Sequence, residues 1–389
     1  EFILKKISVF GATGSVGINT LNLLLLNKNL FKVVALTAYN DYKKLAKYAK
    51  LLNCNYAVIG NKKYYQSLKN ELNGTKVNII AGEEGLIEVA QLKTDIVVSA
   101  IVGIAGLKPT FETLGKTKVL AIANKESIIS AGSFLLNAAN KTKTNLLPLD
   151  SEHNAIFQIF KNEKREYIKD ITLTASGGPF WKRHSTNFKK VTIKEALTHP
   201  NWKMGKKISV DSATMVNKVL ETLEASILFN INIEKINILI HPSSIVHGII
   251  NYIDGTSHMI ASLPDMKLPI NYALNWPKRS SSCVKNLDLQ KIQHLSFYKP
   301  DYNKFPSLKL KNIICNSKYK KSNIIVLNAS NEVAVEYFLK NKIPFIDIVK
   351  NINKTIKLFK HINIKSINDV INVDKQAREL VANIIEKRI

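Results

Sequence analysis

The chain has 389 residues, 46% apolar and 22% charged, which excludes a wholly disordered chain, a collagen and a small disulfide scaffold, and no apolar run approaches the roughly 20 residues of a membrane-spanning helix. Its 56 basic and 30 acidic residues give a net charge of +26, a balance that by sign alone suits nucleic acid, an anionic membrane or a phosphorylated substrate. The basic set is nearly all Lys, with only Arg165, Arg183, Arg279, Arg378 and Arg388; Arg is the favoured base reader, neither a zinc-finger spacing nor an aromatic RNA-binding motif is present, and so no nucleic-acid or membrane partner is expected.

The pattern predicts strands at Ile7–Phe10, Val33–Leu36, Tyr56–Ile59, Val77–Ile80, Ile96–Ala100, Val119–Ala123 and Asn145–Leu149. Helical stretches such as Gly17–Leu26 and Tyr42–Leu52 lie between them. Such alternation implies an α/β fold with a parallel sheet. From Ile171 to about Tyr272 strands and helices continue, broken by Ser176-Gly177-Gly178-Pro179 and by the segment from His199 to Gly205. A polar linker follows Trp276-Pro277, and the tail reads as helices at Asn328–Lys340, Pro344–Ile352 and Asp374–Arg388. Cys54, Cys283 and Cys315 form no CxxC pair, which fits a reducing compartment. The start at Glu1 rather than Met implies trimming, and a removed targeting segment stays open.

Gly11-Ala12-Thr13-Gly14-Ser15-Val16-Gly17 follows the first strand and opens a helix. Glycines let a backbone approach a pyrophosphate, and a helix N-terminus favours anions. The GxxGxxG spacing leans to NADP. After strand 2 stand Tyr39, Asn40 and Asp41. Asp41 suits the 2′-hydroxyl of NAD, whereas Asn40 and Lys43 suit a 2′-phosphate, so these residues leave both cofactors open. Tyr39-x-x-x-Lys43 and Tyr65-x-x-x-Lys69 have the spacing of short-chain dehydrogenases but come too early for a nicotinamide.

Asp150-Ser151-Glu152 ends the seventh strand. In an extended chain residues i and i+2 face one way, so both carboxylates are expected to converge on a cation such as Mg²⁺ or Mn²⁺. Lys207–Asp211 reads as a further strand, with Ser212 at the start of a helix running to Phe229. Val216, Val219, Leu220, Leu223 and Ile227 form its apolar stripe, and Asn217, Lys218, Glu221 and Glu224 line another face. That face is either solvated surface or a phosphate seat. By spacing alone His199 and the His241–His247 segment read as structural, with Ser244 a candidate polar contact.

Together Gly11–Gly17, Asn124-Lys125-Glu126-Ser127, the Leu147–His153 string, Ser176-Gly177-Gly178-Pro179-Phe180, the segment from His199 to Lys206, the run from Asp211 to Glu221 and Leu327-Asn328-Ala329-Ser330-Asn331-Glu332 occur in the order seen in one family. The chain closely resembles the 1-deoxy-D-xylulose 5-phosphate reductoisomerases from its first strand to its tail. The resemblance implies isomerisation of 1-deoxy-D-xylulose 5-phosphate, a phosphorylated sugar, by retro-aldol and aldol steps. Reduction by NADPH then gives 2-C-methyl-D-erythritol 4-phosphate for non-mevalonate isoprenoid synthesis. It implies a Rossmann-like NADPH domain over residues 1–150 and a central α/β catalytic domain with a mobile loop over 151–275. A linker over 276–310 and a C-terminal helical domain over 311–389 complete the expected layout, in a homodimer.

By the same resemblance Asp150, Glu152 and Glu221 would hold Mg²⁺ or Mn²⁺. Lys125, Glu152 and His199 would be catalytic, and Ser176, Ser212, Asn217 and Lys218 would take the phosphate. Ser151 would be a further substrate contact, with Trp202 and Met204 on a loop that closes over the site. Thr13, Gly14, Ser15, Val16, Asn124, Glu126 and Gly205 would meet the cofactor; Tyr39, Asn40 and Asp41 are expected near its ribose from their place after strand 2, not from the resemblance. The chain departs from the family at Ala12, where Ser is common, at Val219, where Gly is usual, and at Tyr39-Asn40-Asp41. A semialdehyde dehydrogenase shares the glycine turn but needs a nucleophilic Cys, and neither Cys54 nor Cys283 is suitably located. A bacterial cytoplasm is the simplest home; removal of a transit peptide would make it a plastid.

Overall fold

The computed structural model describes residues 4–160, 164–202 and 204–387 and divides into two compact units. Lys203 of the expected mobile loop and Arg388, the expected end of the last helix, lie outside the described residues. The first unit comprises Glu1–Ser127, Leu135–Asn154 and Asp265–Lys285. The second comprises Ile128–Phe134, Ala155–Pro264 and Asn286–Ile389.

The first unit is built on β1 (Lys5–Phe10), β2 (Phe31–Ala38), β3 (Tyr56–Ile59), β4 (Asn78–Ala81), β5 (Thr94–Ser99), β6 (Thr117–Ile122) and β7 (Asn145–Pro148). They form one sheet in the order β4-β3-β2-β1-β5-β6-β7, parallel throughout. Strands covered on both faces need apolar side chains on both, which explains the continuous runs in the sequence. Phe10, Ala35, Val58, Val97 and Leu120 pack together in its core. Strand order reverses between β1 and β5, and the crevice beyond the strand ends at such a point is where ligands bind in open α/β sheets. There Gly11 adopts φ +77°, and a Cβ on it would lie 2.5 Å from the Ala100 carbonyl oxygen beyond β5. A Cβ on Gly17 would lie 2.3 Å from the Gly11 carbonyl oxygen. Both contacts are with backbone, so only glycine fits.

The second unit holds β8 (Ile168–Ala175), β9 (Ile236–Ile240), β10 (Val246–Tyr252) and β11 (Ser257–Ala261), ordered β11-β10-β8-β9. β8 and β9 are parallel, and β10 is antiparallel to both β8 and β11. The Val216–Leu228 helix packs on this sheet: Ala225 and the following Phe229 join Ile171, Leu173, Ile236 and Ile250 in one apolar cluster. The tail is helical at Lys320–Leu339, Phe345–Leu358 and Ile367–Glu386. Ser366 and Asp369 form a capping box that starts the last of these. Arg378 bridges Glu332 and Asp374. Among the described residues no helix is long and apolar enough to cross a membrane.

Three local expectations are corrected. Lys207–Asp211 is helical, within Lys206–Ala213. Its alternating apolar residues mimic a strand over five positions, but Ser209, Val210, Asp211 and Ala213 are buried almost contiguously, a helix packed on more than one side. Ser212 therefore lies in the last turn of that helix, and the next one begins at Val216 after Met215 in a left-handed conformation (φ 61°). Asp150 and Glu152 do not share an extended segment: β7 ends at Pro148, and Ser151 opens the Ser151–Phe160 helix.

Candidate active site

In the first unit the glycine turn, the start of the Lys125–Thr142 helix and the Asp150 corner follow β1, β6 and β7. They share the edge formed by the carboxyl ends of the parallel strands. Gly14 is the N-cap of the Ser15–Leu26 helix and supplies no side-chain cap, so the first-turn N–H groups from Ser15 onward point at whatever occupies the crevice. The turn is fixed from below: Gly11 N–H donates to Thr37 Oγ1 at 3.0 Å and Ala12 N–H to the Thr37 carbonyl at 2.7 Å.

Beyond β2, Tyr39 is exposed and its ring lies against Gly60. Asn40 accepts a hydrogen bond from Asn61 at 2.8 Å. Asp41 caps the Tyr42–Leu51 helix, accepting from Lys44 N–H at 3.1 Å and pairing with Lys44 Nζ at 2.8 Å. Against the upward pull of partial burial, these Lys44 contacts hold its carboxyl below the usual range. Asp41 thus caps this helix with its carboxylate beside Lys44.

Asn124 caps the Lys125–Thr142 helix, with Oδ1 accepting from Ser127 N–H at 2.7 Å. Its Nδ2 donates to the carbonyls of Ile101 and Gly103, tying the segment beyond β5 to the segment beyond β6. Glu126 is buried in the first turn of this helix. Lys125 Nζ pairs with Asp150 Oδ2 at 2.8 Å, with side chains 7% and 13% exposed. Asp150 Oδ1 faces Nδ1 of the fully buried His153 at 3.5 Å. Burial alone would raise the Asp150 carboxyl, but the Lys125 ammonium and His153 hold it well below the ordinary range. Ser151 Oγ donates to Glu152 Oε2 at 2.5 Å. An oxygen of Asp150 and one of Glu152 lie within 4.8 Å of each other. Two carboxylates converging at a helix N-terminus make a hard, all-oxygen donor pair. Convergence was expected; the strand-to-helix corner produces it.

In the second unit the Val216–Leu228 helix presents Asn217, Lys218 and Glu221 together. Lys218 and Glu221 form an ion pair with side chains 4% and 2% exposed, and Asn217 Nδ2 donates to the other Glu221 oxygen. Lys218 Nζ also donates to the Thr174 carbonyl at 2.6 Å. This face is buried, so the solvated-surface alternative is overturned: charges withdrawn from water persist only when paired. Gly177 and Gly178 both have positive φ in the loop beyond β8, and a Cβ on Gly178 would lie 2.7 Å from the Ser212 carbonyl oxygen. The Ser176 loop thus rests directly on the Ser212 backbone.

His199 joins this loop. Its Nδ1 accepts N–H groups from Asn201 at 3.2 Å and Trp202 at 3.0 Å. The ring proton therefore sits on Nε2, which donates to Ser176 Oγ at 2.8 Å. Ser176 Oγ also accepts from Gly178 N–H at 3.1 Å, so its own hydroxyl proton is directed elsewhere. Burial pushes the His199 imidazole down to about 4. His199 thus organises the loop through Nδ1 and orients Ser176 through Nε2. Asn201 Nδ2 donates to Ser244 Oγ at 3.0 Å, and the Trp202 ring meets the His247 ring edge-on at 6.3 Å. Met204 lies half-buried beside Gly205, the N-cap of the Lys206–Ala213 helix. His247 falls in the segment that spacing alone reads as structural, and His153 and Asn201 lie inside the strings that carry the resemblance, without a role of their own.

The low His199 value sets a pH dependence. The folded imidazole titrates near 4 and the unfolded one near 6.5, so the unfolded chain binds the extra proton first. Stability is full above pH 6.5 and falls as the pH drops towards 4, by about 1–2 kcal/mol after allowance for solvent screening of a partly exposed ring. His199→Gln should flatten that part of the profile in urea titrations at stepped pH. An unchanged slope would mean that His199 is not held neutral.

Family models match over most of the chain. The model described as 1-deoxy-D-xylulose 5-phosphate reductoisomerase covers residues 7–132, and the C-terminal domain models of that enzyme cover 146–229 and 261–380. A curated 1-deoxy-D-xylulose 5-phosphate reductoisomerase of Wolbachia sp. subsp. Brugia malayi is 47% identical over 388 residues, 99% of each chain. That of Ehrlichia canis is 43% identical over 385 residues, covering 99% of this chain and 100% of its own. The Zymomonas mobilis enzyme, solved in complex with NADPH, superposes with a TM-score of 0.92 at 42% identity over 99% of this chain and all of its own. A DOX-P reductoisomerase solved with NADPH, fosmidomycin and magnesium gives a TM-score of 0.91 at 36% identity over 98% of both chains. With its parallel nucleotide-type sheet, its paired carboxylates and this whole-length match, the chain belongs to the 1-deoxy-D-xylulose 5-phosphate reductoisomerase family.

Proposed function

We propose that this chain carries out its family's reaction with the residues described above. The reaction converts 1-deoxy-D-xylulose 5-phosphate to 2-C-methyl-D-erythritol 4-phosphate with NADPH and a divalent metal. The observation that carries the residue assignment is the shared sheet edge: the glycine turn beyond β1, Lys125 beyond β6 and the Asp150–Glu152 pair beyond β7 open on one side of one sheet. The layout into an NADPH-binding part over 1–150, a catalytic part over 151–275, a linker over 276–310 and a helical part over 311–389 belongs to this reading, as do the homodimer and a bacterial cytoplasm.

The all-carboxylate donor set of Asp150, Glu152 and Glu221 suits a hard cation, Mg²⁺ or Mn²⁺. When bound, that ion supplies Lewis acidity toward the neighbouring oxygens of the substrate. Lys125 keeps Asp150 ionised and fixed, and Ser151 orients Glu152. Ser176 and Ser212 donate hydroxyl protons to the phosphate, joined by Asn217 and Lys218. Neutral His199 holds the Ser176 hydroxyl in its donating orientation. Trp202 and Met204, on the loop from His199 to Gly205, cover the substrate and exclude water. Thr13, Gly14, Ser15 and Val16 cradle the NADPH pyrophosphate, and Gly11 and Gly17 leave it room. Asn124, Glu126 and Gly205 adjoin the cofactor, with Tyr39, Asn40 and Asp41 at its adenosine end.

The test is NADPH absorbance with purified chain, 1-deoxy-D-xylulose 5-phosphate and Mn²⁺. Oxidation should need both substrate and metal and stop on EDTA treatment. Oxidation indifferent to EDTA would remove the metal assignment, and oxidation of NADH in preference to NADPH would reverse the reading of Asn40 and Lys43.

A further inference from the structure

The turn joining the Lys206–Ala213 and Val216–Leu228 helices is held by a residue that the reaction does not use. Asp211, next to Ser212 in the last turn of the Lys206–Ala213 helix, is 1% exposed. Its Oδ2 pairs with Lys207 Nζ at 2.8 Å. Its Oδ1 accepts from Nδ2 of Asn331 at 2.8 Å, 120 residues away on the C-terminal Lys320–Leu339 helix. Asn331 is fully buried, and its own Oδ1 has no hydrogen-bond partner among the described residues. An unsatisfied buried amide oxygen costs stability that an apolar side chain would not. A position that served packing alone would not carry Asn; the donor on Nδ2 gives the residue a purpose.

Two further contacts brace the same turn. Ser307 Oγ, fully buried, donates to the Thr214 carbonyl at 2.5 Å, and Thr214 Oγ1 donates back to the Asp211 carbonyl at 3.1 Å. With Gly178 against the Ser212 carbonyl, the turn is held from the Ser176 loop on one side and from the C-terminal region on the other. Charge adds a second reason. A carboxylate one residue from a phosphate seat opposes an incoming phosphate dianion. Lys207 compensates the Asp211 charge, and Asn331 ties the carboxylate to the C-terminal helix.

We infer that Asn331 is a positioning residue for the phosphate seat, acting through Asp211 on Ser212, so that the C-terminal helical region sets affinity for the phosphorylated substrate. This rests on the reading that Ser212 meets the phosphate. Asn331→Ala should raise KM for 1-deoxy-D-xylulose 5-phosphate about tenfold, keep kcat within about threefold and leave KM for NADPH unchanged. Inhibition by inorganic phosphate should weaken by the same factor. With Asp211 already replaced by Ala, adding Asn331→Ala should raise KM no further, because the two residues form one linkage. A purely supporting role predicts lower kcat and a lower melting temperature with KM unchanged, and that result overturns the inference. Ser212→Ala separates the two readings. If it leaves KM unmoved, the phosphate assignment falls; if it raises KM while Asn331→Ala does not, only the inference about Asn331 falls. Should Asn331→Ala lack a cooperative melt, Asn331→Ser with the same readouts decides.

Discussion

Glu221→Gln is expected to lower metal-dependent turnover by about 10³-fold, which is about 4 kcal/mol of transition-state stabilisation. The substitution keeps shape and one accepting oxygen while removing the charge that a divalent cation needs. Asn217 and Lys218 both donate to Glu221, so the side chain is held in a single orientation before any ligand arrives. The same contacts give the variant a second signature. Lys218 loses its buried counter-charge, and breaking a buried pair from one side costs about 3–5 kcal/mol. The Gln carbonyl and the Thr174 carbonyl still accept from Lys218, which places the expected loss at or below the lower bound. Mn²⁺ titration followed by calorimetry, NADPH oxidation and thermal melting separate the effects. A folded variant with wild-type turnover and undiminished Mn²⁺ affinity would remove Glu221 from the metal set.

Much of this architecture is legible in the sequence, for a physical reason. A doubly covered parallel strand must be apolar on both faces, so β1 to β7 stand out as short apolar runs between helical patterns. The glycine turn is legible because backbone contacts at Gly11 and Gly17 forbid any other residue. Local period is less informative over five residues: Lys207–Asp211 alternates like a strand yet folds as a helix, because its buried positions face several neighbours. The polar face of the Val216–Leu228 helix shows the same limit. Asn217, Lys218 and Glu221 have the spacing of a solvated surface, and only the packing of this helix on the β8–β11 sheet makes them buried. The linkage between Asp211 and Asn331 is not legible, since the two residues lie in separate strings 120 residues apart and no local pattern pairs them.

Lys125→Met should destabilise the fold by about 3–5 kcal/mol and reduce turnover by about 10²-fold or more. Its ammonium is the cation paired with Asp150 at 2.8 Å, and both side chains are nearly buried. Met fills a similar volume without a charge, so the change isolates electrostatics from packing. Asp150 would keep His153 opposite one oxygen but lose the ion pair on the other. The decisive readout is the response to metal. A ligand that binds only the folded state stabilises it according to concentration over dissociation constant. In the wild type Lys125 already offsets the Asp150 charge and competes with an added cation. In the variant the cation has no such competitor, so Mn²⁺ should raise the melting temperature of Lys125→Met by more than that of the wild type, even though turnover stays low. Equal Mn²⁺ shifts would mean that Asp150 takes no part in holding the metal. A large shift with full turnover would mean that Lys125 serves only as a structural counter-charge to Asp150.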